Sequence, residues 1–186
     1  MRVLHFADLH IGYENYSRPV PGIAWSSRMQ DFLDAFDHLV AYALAEGVDA
    51  VVFAGDAFKS REPTQTQQRE FAKRIQRLSQ AGIPIMLLVG NHDLPNAEGR
   101  AHALELYRTL AVPGVVVGDT AALVDGNEAP LVLETRSGLL QVSCLRWPQV
   151  SRFLASNPEI ASMSNEDVHA VVQREMTARI RRQAKR

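Results

Sequence analysis

Short apolar runs that break off at polar residues alternate with amphipathic stretches through the first half of the chain. Arg2 to Ala7 is a brief apolar run ending in Asp8, the pattern of a buried strand. Residues 11 to 24 are rich in Gly, Pro, Tyr and Ser and read as a loop. From Trp25 to Glu46 the spacing turns helical, with Phe32, Leu33, Phe36, Leu39, Val40, Ala43 and Leu44 on one face and Gly47 as the stop. Ala50 to Ala54 is a second buried strand, closed by Gly55-Asp56. A helix over Thr64 to Gln80 turns Phe71, Ala72, Ile75 and Leu78 inward and ends at Gly82. Ile83 to Val89 makes a third strand, closed by Gly90-Asn91-His92-Asp93. This alternation predicts right-handed βαβ units and a largely parallel sheet, an α/β fold.

The second half changes pattern. A helix is expected around Gly99 to Leu110, then a short strand at Val115 to Val117. Leu131 to Leu133 and Leu139 to Leu145, joined by Arg136-Ser137-Gly138, read as a hairpin, and Trp147-Pro148 breaks its second strand. The final helix, Asn165 to Arg182, is expected to bury Val168, Val171, Val172, Met176 and Ile180. Arg179, Arg181, Arg182, Lys185 and Arg186 give it a basic end, which suits a helix dipole better than a nucleic-acid tail. A strand-helix chain closing on such a helix is expected to continue, so the 186 residues read as a fragment of a longer protein.

Composition narrows the class. With 46% hydrophobic and 22% charged residues, wholesale disorder is excluded. A net charge of -1 excludes a chain-wide polycation, so nucleic acid would be met through a local basic surface or through metal ions. Cys144, the single cysteine, lies in an apolar run and reads as a small core residue. No secretory signal and no apolar run of membrane-spanning length is seen, and a cytoplasmic location is expected.

Three predicted strands end in residues of metal-ligand type: Asp8-Leu9-His10, Gly55-Asp56 and Gly90-Asn91-His92-Asp93. The carboxyl ends of parallel strands share one edge, where sequence-distant groups meet. Asp8 and His10, two residues apart, can turn toward one ion, Asp56 can bridge two, and Asn91 offers an amide oxygen. Such mixed donors suit manganese, iron or zinc. Two ions about 3.5–4 Å apart would activate water and hold a phosphate oxygen. His92 is then placed to protonate a leaving oxygen. Three unrelated polar strand caps are the bland alternative, disfavoured because all three fall at one end of the sheet.

At these residues the sequence resembles the calcineurin-like metallophosphoesterases, whose blocks run Asp-x-His, Gly-Asp, Gly-Asn-His-Asp/Glu, a lone His and Gly-His-x-His. Val3 to Gly12, Gly55-Asp56-Ala57-Phe58 with Pro63, and Gly82-Ile83-Pro84 resemble the SbcD-type DNA double-strand-break nucleases, across about the first 110 residues. The resemblance implies a two-sheet α/β sandwich, here as the N-terminal portion of a nuclease domain over residues 1–186. It implies two divalent ions, most often Mn2+, with Asp8 and His10 on the first, Asp56 bridging, Asn91 on the second and His92 catalytic. It further implies cleavage of DNA ends and hairpins, an SbcC-like SMC-type ATPase partner, nucleoid association, and homodimerisation through the helices after Asp56 and Asn91.

Two departures stand out. Lys59 lies where some relatives carry a histidine, and a lysine contacts phosphate only as a point charge. No lone His and no Gly-His-x-His follow; His102 reads as an exposed helix residue, and His169 as a neighbour of a core face. Arg18, Arg28, Lys59 and Arg61 flank the expected site and either track a DNA backbone or are ordinary surface charge. Tyr13, Tyr16 and Trp25 either stack on bases or pack. Two other functions stay open: a phosphodiesterase of small phosphate esters, and a non-catalytic scaffold or dimerisation fragment.

Overall fold

The computed structural model describes residues 1–95, 100–118, 130–145, 150, 154, 160 and 162–185. The expected helix start at Gly99, the Trp147-Pro148 break and Arg186 lie outside them. Residues 1–118 and 133–140 form one compact unit, and 119–132 with 141–186 another.

The first unit carries a parallel sheet in the order β1 (Val3–Phe6), β2 (Ala50–Phe53), β3 (Ile85–Leu88), β4 (Val115–Gly118). Between the strands run α1 (Ser27–Ala45), α2 (Gln65–Gln80) and the short α3 (Glu105–Thr109). Right-handed crossovers between strands added in one direction put successive helices on the same face. Accordingly α1 and α2 meet: Arg74 pairs with Asp37, and Arg77 reaches Asp37 at 2.7 Å. Burial works against the Glu70 carboxylate, but Lys73 and Arg69 outweigh it and hold its carboxyl below the usual range.

Local chemistry explains the helix boundaries. Ser26 caps α1 through Met29 N–H. Thr64 and Gln67 form a reciprocal capping box on α2, which satisfies two otherwise orphaned donors. Met29, Leu33, Phe36, Val40 and Ala43 are the buried stripe of α1, whereas Leu44, expected inward, is 37% exposed. Phe71 sits fully buried at the centre of an aromatic cluster, its ring 5.5 Å from Phe36, 5.8 Å from Phe53 and 5.4 Å from Phe58.

The helix expected from Gly99 begins only at Glu105 among the described residues, and its N-cap position, Leu104, provides no capping side chain. Ala111 at φ 47° and Pro113 end it. His102 therefore precedes the helix and is buried at 7% exposure, not an exposed helix residue.

β5 (Leu131–Thr135) and β6 (Gly138–Val142) make a separate two-stranded sheet, the expected hairpin. Its tip is tied within the first unit to buried Asp49, which accepts from Ser137 Oγ at 2.7 Å and Arg136 Nε at 2.9 Å. The Arg2 N–H donates to the same carboxylate at 2.6 Å. The Ser137 hydroxyl first, then the Arg2 N–H and the Arg136 guanidinium, hold the Asp49 carboxyl far below its ordinary value. A depressed folded-state pKa contributes stability above the unfolded value of about 4, lost as pH falls toward the folded one. Asp49→Asn is expected to flatten the loss of stability below pH about 4, read from denaturant unfolding in a pH series. An unchanged acid slope would refute the role given to Asp49.

In the second unit, α4 (Asn165–Gln183) is capped by Ser164, with Glu166 and Asp167 in its first turn and Arg181 and Arg182 in its last. That charge order complements the helix dipole. Val168 and Val172 are buried, but Ile180, expected inward, is 44% exposed. Burial pushes the Cys144 thiol up to about 11, as suits a packed, unreactive cysteine. No helix among the described residues is long and apolar enough to cross a membrane.

Candidate metal centre

The parallel register sets Phe6 beside Phe53, Phe53 beside Leu87 and Leu87 beside Val117. The strands therefore finish nearly level, and the polar turns after β1, β2 and β3 open on one edge. Beyond the sheet the first two turns stay zipped together. Asp8 N donates to Gly55 O, His10 N to Asp56 O and Ile11 N to Ala57 O, each at 3.0 Å. Asp8, His10 and Asp56 take φ of 59°, 45° and 61°. Non-glycine residues held left-handed cost about 1–3 kcal/mol each and cluster at functional sites.

The second and third turns touch backbone to backbone. A Cβ on Gly55 would stand 2.6 Å from Gly90 Cα and N, and one on Gly90 would stand 2.2 Å from Asp56 Oδ1. Only glycine permits this approach. Asp93, 2% exposed, accepts the N–H groups of Asp56 at 2.8 Å, Ala57 at 3.0 Å and Gly90 at 3.0 Å. Burial, opposed by those N–H groups and reinforced by Asp56, pushes the Asp93 carboxyl up.

Two of the expected metal ligands, His10 and Asp56, meet the expected catalytic residue His92 above these turns. His10, Asp56 and His92 each offer a ligand atom, all within 4.8 Å of one another. His10 Nε2 lies 3.4 Å from Asp8 Oδ1 and 3.9 Å from Asp56 Oδ2, so it faces two carboxylates. The Asp8 side chain is 69% exposed and stands at the mouth. His92 N–H donates to Asp56 Oδ1 at 2.8 Å. The Asn91 amide abuts the same carboxylate: with its NH2 turned inward it donates to Oδ2 at 2.8 Å and Oδ1 at 3.2 Å. With its oxygen turned inward, two acceptors face each other, an arrangement that a cation between them stabilises. Imidazole, carboxylate and amide oxygen converging in this way fit a divalent transition metal.

A scan against protein families matches residues 1–127 to the calcineurin-like phosphoesterase model. The chain belongs to the calcineurin-like phosphoesterase family. It is 40% identical over 111 residues to the DNA double-strand break repair protein Mre11 of Halobacterium salinarum, covering 60% of this chain and 26% of that protein. It is 45% identical over 92 residues to Mre11 of Haloferax volcanii, covering 50% and 19%. With Mre11 of Methanosarcina mazei it shares 37% over 127 residues, covering 65% and 19%. The chain thus spans 26% or less of the length of each of these relatives.

For a calcineurin-like phosphoesterase the environment of His92 is informative. Its Nδ1 lies 3.1 Å from the Lys59 carbonyl oxygen. An N–H there donates to that oxygen and fixes the tautomer, leaving Nε2 with the lone pair. Lys59 therefore serves the histidine through its backbone, while its exposed ammonium lies over the Tyr13 ring, 5.4 Å from the centroid. Of the other basic candidates, Arg28 is engaged with Asp31 at 3.3 Å and with the Phe32 ring, whereas Arg18 and Arg61 are exposed. Sequence reasoning passed over Asp93 as a structural carboxylate and Gly55 and Gly90 as a contact. The signal was present in the Gly-Asp and Gly-Asn-His-Asp turns, but their contact is formed across the sheet.

Proposed function

We propose that this chain carries the metal-binding part of a DNA double-strand-break repair nuclease of the Mre11/SbcD type, hydrolysing phosphodiester bonds at DNA ends with two divalent ions, Mn2+ foremost. The convergence of His10, Asp56 and His92, with Asn91 against Asp56, carries this reading. Asp8 and His10 would hold one ion, Asp56 would bridge, and Asn91 would belong to the second. Divalent ions there supply Lewis-acid polarisation of the phosphoryl group and easier deprotonation of an attacking water.

The residues themselves do the rest. His92, with Nδ1 on the Lys59 carbonyl, presents Nε2 to donate a proton to the leaving oxygen or to stabilise charge on the phosphoryl oxygens. Asp56 orients that histidine by accepting its backbone N–H. The exposed Lys59, Arg18 and Arg61, with the half-buried Arg28, would track the DNA backbone. In the cell the chain would act at the nucleoid with an SbcC-like SMC-type ATPase. Homodimerisation through α2 and α3 fits the exposure of Leu106 and Leu110, 51% and 70%, on and just after α3.

Manganese titration by calorimetry, paired with cleavage assays on linear DNA and on a small phosphomonoester, tests the proposal. The expected result is weak but saturable manganese binding and low activity by this chain alone, directed at DNA ends in preference to the monoester. Absence of saturable binding would sink the metal reading, and preference for the monoester would replace the nuclease with a small-ester phosphatase.

A further inference from the structure

We infer that Asp93 is a positioning residue for the metal centre, its carboxylate locking the turn that bears Asp56 onto the turn that bears Asn91 and His92. The inference deepens the proposed metal reading and rests on it. Asp93 is the last residue of the Gly-Asn-His-Asp run, and its side chain turns away from the ligand cluster into the protein at 2% exposure. There it accepts N–H groups from both turns at once. Asp56 and Ala57 belong to the turn after β2, Gly90 to the turn after β3, all at 2.8–3.0 Å.

Oδ2 takes two of these donors, from Asp56 and Gly90, and Oδ1 takes the third, from Ala57. Both oxygens are therefore engaged with backbone N–H groups. The bond to the Asp56 N–H fixes the backbone from which the proposed bridging carboxylate projects. The bond to Gly90 N–H does the same for the residue just before Asn91. Gly55 and Gly90 make the lock possible, since a Cβ on either would strike the opposing turn. Asp56 Oδ1 in turn receives the His92 N–H at 2.8 Å, so the ligand residues of both turns hang on one buried carboxylate. A buried group satisfying several donors has no cheap substitute, because water cannot replace it there.

Asparagine at position 93 keeps the shape but offers one oxygen, so its NH2 must confront at least one backbone N–H. Glutamate keeps two oxygens on a longer stem. Residues that orient metal ligands without touching the ion typically change affinity about 10–100-fold when lost. Manganese affinity measured by calorimetry, with amide hydrogen exchange at Asp56, Ala57 and Gly90, is the test. We expect Asp93→Asn to weaken binding about 10–100-fold and to expose those amides, and Asp93→Glu to recover both. A folded Asp93→Asn protein that binds as the unaltered chain does would overturn the inference alone, as would an Asp93→Glu protein that binds no better. Should Asp93→Asn not fold, the amides decide: slow exchange in the unaltered chain and in Asp93→Glu supports the lock, and fast exchange in the unaltered chain overturns it. No manganese binding by the unaltered chain would overturn the metal reading, and this inference with it.

Discussion

Manganese affinity should fall by about 100-fold or more in Asp56→Ala, while the protein remains folded. Loss of groups that only orient a metal's ligands already costs about 10–100-fold, so loss of the proposed bridging carboxylate should reach the upper end or pass it. The Asp56 side chain is 12% exposed and faces His10 Nε2 at 3.9 Å, so it contributes anionic charge at the point where the candidate ligands meet. Its other visible task is to accept the His92 N–H. Losing that bond costs about 0.5–1.5 kcal/mol. Alanine at φ 61° adds strain that aspartate tolerates better, so Asp56→Asn is the control, preserving both the backbone and an acceptor for His92. Calorimetry on the three proteins, beside their thermal unfolding, reads the result. If Asp56→Ala bound manganese as tightly as the unaltered chain, the ion would have to be held elsewhere.

Phe71→Ala should be the most destabilising single truncation in the first unit, at about 3–5 kcal/mol, the usual range for a buried phenylalanine. The ring is fully buried, and its neighbours approach from α1, β2, the turn after β2 and α3. Elements fixed on so many sides relax poorly into a cavity, which places the cost toward the upper end. Phe58 stands two residues from Asp56 and packs 5.4 Å from Phe71, so the truncation also loosens the floor beneath the candidate metal centre. Denaturant unfolding should show a lower midpoint with an unchanged slope. A loss below about 1.5 kcal/mol would mean that the cluster repacks, contrary to its packing from four sides.

The pattern that placed α1, α2 and β1 to β4 was legible because each element buries a continuous stripe against a neighbouring layer. Met29, Leu33, Phe36, Val40 and Ala43 recur at helical spacing for that reason. The same rule overreached at the helix ends. Leu44 and Ile180 fit the periodicity but are partly exposed, at 37% and 44%, because the last turn of a helix can run past the surface it covers. His102 was misjudged more deeply. Helical spacing from Gly99 placed it on an exposed helix, whereas the helix starts at Glu105 and leaves His102 buried in the preceding turn.

The candidate centre divides along the same line. The sequence by itself determined which residues are of metal-ligand type and that they lie at strand ends, because residue type and strand periodicity are local properties. Strand-end position alone thereby predicts Asp8, His10, Asp56, Asn91 and His92 on one edge of the sheet. Only the tertiary structure decided how they face one another: that His10 Nε2 looks at two carboxylates, that His92 leans on the Lys59 carbonyl, and that Asp93 is spent on backbone N–H groups. Most of those relations join residues more than 30 positions apart, through hydrogen bonds and a glycine-to-glycine contact. They depend on strand register and turn geometry, and no window of neighbouring residues encodes either.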